Sequence, residues 1–169
     1  FSSIPFKNFR KHTLTLTPHS GGNMKVFLAD LVHNFHKGDI AISGDIDFVV
    51  PLNVAKISSY IKNNIKCDIN IFKYPTDIIN ALEIEEPHVV GLSNYIWNQE
   101  LNKQIAIMIK NEYPNTLIVY GGPTIRTDKD GIKSFLLKNT FVDCYVLFEG
   151  ERPFLEIIRN LEIYGNKLF

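Results

Sequence analysis

The chain has 169 residues, of which 45% are hydrophobic and 21% are charged, and its 18 basic and 18 acidic side chains cancel. This length and apolar fraction predict one globular domain and exclude a disordered or low-complexity chain. The neutral balance argues against nucleic-acid and membrane-surface partners, and no apolar run reaches the roughly 20 residues that span a bilayer. Two cysteines, Cys67 and Cys144, are too few for a disulfide framework and favour a reducing, cytoplasmic setting.

The N-terminal 23 residues differ in character from the rest of the chain. They contain two prolines and a Gly-Gly pair, and their apolar residues follow no sustained helical or strand periodicity. We therefore interpret residues 1–23 as an arm or leader. The domain proper is expected to cover residues 24–163. Residues 164–169 are then expected to be a tail or the start of a linker to a further domain.

From Met24 onward, strand signals alternate with amphipathic helix signals. Strands are predicted over residues 25–32, 67–73, 88–93, 116–120 and 143–148, and residues 33–50 are expected to form a long loop. Helices are predicted from Pro51 to about residue 65, from Thr76 or Asp77 to residue 82, from Asn98 as N-cap to about Tyr113, over 129–138, and from the segment 149–153 to about Leu161.

Strands separated by helices of this length require right-handed crossovers and therefore a parallel sheet. The sequence thus predicts an α/β fold: a Rossmann-like, five-stranded parallel sheet in the flavodoxin-like order 2-1-3-4-5, with helices on both faces. Such sheets bind ligands at the carboxyl ends of their strands. The segments that follow the first, third, fourth and fifth strands are therefore the candidate site.

Each of these four segments contains residues suited to ligand binding. Glycines let the backbone approach a ligand closely, and the single Trp could cover a flat one, although turns, helix caps and core packing also use these residue types. The candidates are His33 and His36 after the first strand, Ser93, Asn94, Tyr95 and Trp97 after the third, Gly121, Gly122 and Pro123 after the fourth, and Glu149, Gly150 and Glu151 after the fifth.

The order and spacing of four segments resemble the N-terminal cobalamin-binding domain of cobalamin-dependent radical SAM proteins. The segments are Gly91-Leu92-Ser93, Tyr95-Ile96-Trp97-Asn98, Gly121-Gly122-Pro123 and Glu149-Gly150-Glu151-Arg152-Pro153-Phe154. Pro51-Leu52 ahead of a helix that contains Ala55 is similar to that family too, and the resemblance runs from about Met24 to Leu161. It implies cobalamin held base-off, with Ser93 and Gly121-Gly122 lining the slot for the nucleotide tail.

The loop after the first strand departs from one branch of cobalamin-binding domains. The methylmalonyl-mutase type has D-x-H-x-x-G there, and its His becomes the lower ligand of cobalt. Here Asp30, His33, His36 and Gly38 do not reproduce that spacing. The radical SAM branch commonly lacks the motif, so no metal ligand is predicted, with His33 or His36 kept as an alternative for cobalt.

Radical SAM chemistry requires an iron–sulfur cluster on three closely spaced cysteines (C-x-x-x-C-x-x-C), which this chain does not contain. The resemblance therefore implies that the cluster, S-adenosyl-L-methionine and the catalytic barrel belong to a C-terminal domain outside these residues. No catalytic residue is predicted in the chain itself. The whole enzyme would transfer a methyl group or catalyse a related rearrangement or ring closure.

Three other functions are compatible with the predicted topology. A receiver domain needs a phosphorylatable Asp at the end of the third strand, where Ser93-Asn94 stands. A flavin carrier needs small phosphate-binding residues after the first strand, where residues 31–38 include bulky side chains and histidines. A vestigial domain that keeps the fold, binds no cofactor and acts in assembly stays open. Cobalamin is the predicted cofactor.

Overall fold

A computed structural model of the protein describes residues 23–33 and 50–165. The predicted arm up to residue 22, most of the predicted loop, with His36, and residues 166–169 lie outside the described residues. The strands are β1 (Met24–Ala29), β2 (Cys67–Phe72), β3 (Val89–Ser93), β4 (Leu117–Gly121) and β5 (Cys144–Val146). The helices are α1 (Leu52–Asn64), α2 (Pro75–Ile84), α3 (Gln99–Glu112), α4 (Lys129–Lys138) and α5 (Glu151–Tyr164).

The five strands form one parallel sheet in the order β2-β1-β3-β4-β5, which confirms the predicted fold class and strand order. β1 lies between β2 and β3, so the connections from β1 and from β3 leave in opposite directions and open a crevice at the carboxyl edge. The register aligns Leu28 with Gly91, Gly91 with Val119, and Ser93 with Gly121.

Helices cover both faces of the sheet because side chains alternate along each strand. Val26 and Leu28 of β1 belong to a core cluster with residues of α1 and α5, and we call this side the α1/α5 face. Phe27 and Ala29 belong to a second cluster with residues of α2 and α3, against which α4 also packs. We call this side the α2/α3/α4 face.

Several element boundaries differ slightly from the sequence predictions. β1 ends at Ala29, although the Asp30 and Val32 amides still donate to the carbonyls of Phe72, the last residue of β2, and of Lys73. α2 begins at Pro75, and β5 ends at Val146. None of the helices in the described parts of the chain is both long enough and apolar enough to cross a membrane.

Candidate functional site

A cavity of about 510 Å³ lies at the carboxyl edge of the sheet, on the α1/α5 face. Its walls come from the ends of β3 and β4, the first turns of α1 and α5, and the segment between β5 and α5. This volume is typical of pockets that bind small molecules. The predicted site residues that line it are Ser93, Tyr95, Gly121, Gly122, Pro123, Glu149, Gly150 and Glu151.

Glycines occupy two strand positions that line the cavity, and they have different effects on its open space. Gly91 and Gly121 lie on the α1/α5 face, where alternation would otherwise place larger side chains. A Cβ at Gly91 would lie 2.7 Å from Phe154 Cε2, so the glycine lets this ring pack directly on the sheet. A Cβ at Gly121 would have only the Val146 carbonyl oxygen within 4 Å, at 3.6 Å. Space therefore remains open beside Gly121.

Gly122 has a different role from that of its neighbour. Its φ is +128°, a conformation that favours glycine, and a Cβ there would lie 2.3 Å from the Asn94 carbonyl oxygen. The Asn94 amide also donates to the Gly121 carbonyl over 2.6 Å. The turn after β4 thus packs against the end of β3 through bare backbone, and Gly122 is required by this packing.

Two buried asparagines hold the loop that follows β3. Asn98 Nδ2 donates to the carbonyls of Leu31 and Ser93, at 3.0 and 3.1 Å, and Asn98 Oδ1 accepts from the Tyr95 amide at 2.8 Å. Asn102, one helical turn later, donates to the Ser93 carbonyl at 2.9 Å. Asn98 is the N-cap residue of α3, as predicted, but its side chain makes no cap hydrogen bond to the helix and instead fixes the loop.

Asn94 does not line the cavity. Its side chain is buried, and its Nδ2 donates to Thr124 Oγ1 over 2.6 Å. The Tyr145 hydroxyl lies 3.2 Å from the same Thr124 oxygen and donates to the Gly122 carbonyl over 2.9 Å. Asn94 therefore joins the end of β3 to the turn after β4, and neither Thr124 nor Tyr145 was among the predicted site residues.

Trp97 lies outside the cavity and outside the core, with 58% of the residue exposed. Its ring stacks on Tyr95, with centroids 4.5 Å apart and planes 4° apart. The Tyr95 hydroxyl accepts a hydrogen bond from Asn53 Nδ2, and Tyr95 lines the cavity. Burial, and secondarily the charge of Asp30, raises the pKa of Tyr95, so the phenol stays neutral. The stacked pair is a flat aromatic surface at the carboxyl edge.

His33 is exposed, and its Nε2 forms a hydrogen bond with the Trp97 carbonyl oxygen. A carbonyl only accepts, so this nitrogen carries the proton. The contact joins the end of β1 to the loop after β3, which leaves this nitrogen engaged within the protein. Among the residues that the structure describes, no group of three or more His, Cys, Asp or Glu side chains is arranged to hold a metal ion.

Other cavity residues were not identified by sequence reasoning. Asn53, Lys56 and Ile57 come from the first turns of α1, and Phe148 comes from the segment before α5. Pro51 was a usable signal, because it predicts a helix start and helix starts meet the carboxyl edge in this fold. No sequence pattern marks Phe148, whose φ is +61°.

Comparison with known proteins places the chain in a family. The model of the B12 binding domain matches residues 48–158. The chain is 40% identical over 75 residues to the cobalamin-dependent radical SAM methyltransferase TokK of Streptomyces tokunonensis, covering 44% of this chain and 11% of that protein. It is 32% identical over 92 residues to the 2-(S-pantetheinyl)-carbapenam-3-carboxylate methyltransferase of Streptantibioticus cattleyicolor, and this alignment covers 52% of this chain and 13% of that protein. The alignments thus span only a small part of these relatives.

Two solved structures share the fold. A cobalamin-binding protein from Desulfitobacterium hafniense matches with a TM-score of 0.57 and 12% identity, over 82% of this chain and 58% of that one. HP1043, an orphan response regulator of H. pylori, matches with a TM-score of 0.55 and 11% identity, over 83% of this chain and 98% of that one. Identities this low show the fold alone. The match to the family model covers more than half of the chain, so the chain belongs to the B12-binding domain family, and the predicted cofactor, cobalamin, is confirmed.

Proposed function

We propose that the chain is the cobalamin-binding module of a radical SAM enzyme. It holds the cofactor base-off, with the nucleotide tail in the cavity beside Gly121 and the corrin outside the carboxyl edge. The open space beside Gly121 on the α1/α5 face carries this proposal, because nothing but the Val146 carbonyl lies within 4 Å of a Cβ built there. Bound cobalamin supplies a cobalt centre that can carry a methyl group.

The cavity suits the tail in size and in chemistry. A volume of about 510 Å³ accommodates a nucleotide-sized group but not a corrin macrocycle. The Ser93 hydroxyl, which can bond a ring nitrogen, and the bare backbone of Gly121 and Gly122, which can approach ribose or phosphate, line it. Their placement by the buried asparagines would reduce the cost of ordering the site on binding.

The stacked Tyr95–Trp97 pair is proposed to contact the corrin outside the cavity. Stacked rings at the surface, with Trp97 58% exposed, present apolar area that a flat ligand can cover. We do not assign His33 to cobalt, since its Nε2 already bonds the Trp97 carbonyl. Replacing His33 with Ala is accordingly expected to leave the spectrum of the bound cofactor unchanged.

The remaining parts of the enzyme are proposed to lie beyond this domain. The alignments cover only 11% and 13% of two relatives that are named as methyltransferases. We therefore propose a cytoplasmic enzyme in which residues 24–163 bind cobalamin and a C-terminal domain of the same polypeptide holds the iron–sulfur cluster and S-adenosyl-L-methionine. Methyl transfer would occur in that domain, and this chain alone would not turn over substrate.

The direct test is retention of hydroxocobalamin by the purified chain. After titration and desalting, we expect a stoichiometric amount of cofactor with a base-off visible spectrum. Cobinamide, which lacks the nucleotide tail, should bind more weakly because it leaves the cavity unfilled. Failure to retain hydroxocobalamin at high micromolar concentration would contradict the proposal and favour a domain that keeps the fold without the cofactor.

Gly121→Leu tests the location of the tail. A Cβ has room at this position, so the variant should fold, while its larger side chain fills the open space and weakens hydroxocobalamin binding by about tenfold or more. Gly121→Ala is the matched control and should bind nearly as the wild type does. Gly122→Leu is unsuitable, because its Cβ would lie 2.3 Å from a backbone oxygen. Unchanged binding by Gly121→Leu would place the tail elsewhere.

A further inference from the structure

Phe148 adopts an unfavourable backbone conformation. It stands between β5 and α5 with φ at +61°, and it is the only non-glycine residue with positive φ among the residues that the structure describes. In this left-handed region the Cβ of an L-amino acid crowds the following carbonyl, and bulky residues rarely occupy it. A strained residue of this kind persists where the surrounding structure or a function requires it.

Glycine is the residue that this chain uses at its other described positions with positive φ. In the described part of the chain, the other residues with positive φ are Gly122 and Gly165, with φ of +128° and +63°. Glycine at position 148 would remove the strain. Burial does not explain the phenylalanine either, since 87% of Phe148 is exposed. Neither backbone geometry nor core packing therefore accounts for this side chain.

The position of Phe148 indicates what the side chain is for. It lines the cavity, directly before Glu149, Gly150 and Glu151, which line it as well. An apolar ring that faces solvent beside a cavity gains stabilisation only when a ligand covers it. An aromatic side chain therefore lies, despite the backbone strain, where it can contact a ligand bound at the cavity.

We propose that Phe148 is a cofactor-retaining residue, whose ring packs on cobalamin bound at the cavity and slows its release. The inference rests on the proposed function and adds a residue to its site. Burial of an exposed aromatic ring under the ligand contributes to affinity, and among related complexes such contributions change mainly the dissociation rate.

The test compares stability and cofactor release in two variants. Phe148→Gly and Phe148→Asn both suit a left-handed backbone. Without cofactor, their melting temperatures should equal that of the wild type or exceed it by about 2–4 °C, since strain is relieved. Their hydroxocobalamin dissociation rates, followed by visible absorbance after transfer to a cobalamin scavenger, should rise about tenfold or more. Phe148→Tyr should retain the slow rate.

Ile84→Ala is the control, because Ile84 is 84% exposed at the end of α2 and does not line the cavity. It should leave the release rate unchanged. If the wild type retains hydroxocobalamin and Phe148→Gly releases it equally slowly, this inference is overturned while the proposed function stands. If melting temperature and retention fall together, Phe148 is structural and the inference fails. If the wild type retains no cofactor, both proposals fail.

Discussion

The same strands present a filled surface on one face of the sheet and an open cavity on the other. On the α2/α3/α4 face, large side chains close the space up to the carboxyl end of β4. On the α1/α5 face, Gly121 at the end of β4 leaves space open in a cavity of about 510 Å³. The difference teaches that this candidate site depends on the absence of a side chain, which leaves space on the α1/α5 face only.

Tyr120 and Gly121 show the contrast within two consecutive residues. Tyr120 is 2% exposed, and its ring centroid lies between 6.3 and 6.5 Å from those of Phe135, Phe141 and Tyr145. Burial strongly raises the pKa of this phenol, which therefore remains neutral. Gly121 points to the other face and leaves space there. Alternation along β4 thus closes one face and opens the other.

The largest expected effect tests whether the closed face serves stability alone. Ile118 is fully buried in the cluster of the α2/α3/α4 face. We expect Ile118→Ala to lower the free energy of unfolding by about 3–4 kcal/mol, through lost burial and a new void. Urea denaturation measures the loss. Hydroxocobalamin affinity, measured where the variant is still folded, should stay at the wild-type value, which is the reverse of Gly121→Leu. A parallel loss of affinity would break the comparison between the faces.

A smaller effect tests the polar layer that holds the cavity rim. Asn98 is fully buried and makes three hydrogen bonds to backbone groups. Asn98→Ala should cost about 2 kcal/mol, because the Leu31 carbonyl loses this donor and the Tyr95 amide loses this acceptor, and it should loosen the loop that contains Trp97. Urea denaturation and the fluorescence of the single Trp measure both consequences.

Asn111→Ala is the matched control, since Asn111 is exposed on the same helix α3. It should change neither stability nor fluorescence appreciably. If Asn98→Ala behaved like Asn111→Ala, the amide would not be holding the rim.

The smallest effect concerns the charge of Asp30, which follows β1 at the carboxyl edge. Burial raises the pKa of Asp30. The folded state therefore keeps this proton to higher pH than the unfolded chain, so stability decreases as pH rises from about 4 through the raised pKa. Asp30→Asn removes this penalty and should be slightly more stable than the wild type at pH about 7, with no gain at pH about 3. Urea denaturation at both pH values measures the free energy of unfolding of the variant and the wild type. A gain in stability that is the same at both pH values would refute the electrostatic cause.

Much of the fold follows from patterns that are local in sequence. Apolar runs such as residues 88–93 and 116–120, separated by amphipathic helices, were sufficient for the class, the direction and the order of the strands. The boundaries were less accurate, as at β5, because its pairing with β4 ends at Val146 although the apolar residues continue to Phe148.

The candidate site was predictable as a location and only partly as a set of residues. Ser93 and the Gly121-Gly122 pair could be identified because the carboxyl ends of parallel strands meet at one edge. Asn94 and Trp97 lie beside the cavity instead of lining it, and the contributions of Asn53, Thr124 and Tyr145 depend on contacts between segments distant in sequence. No local pattern encodes such contacts.

By itself, the sequence determined the periodicities, the turn residues and the strand-end motifs, because these depend on neighbours along the chain. Tertiary structure decided which of two adjacent glycines faces open space and which packs against backbone. It also directed the side chain of Asn98, the N-cap residue of α3, to the neighbouring loop, and it placed Phe148 in a strained, exposed position beside the cavity. These properties depend on strand register and on the space left between elements, which exist only after the sheet and helices have packed.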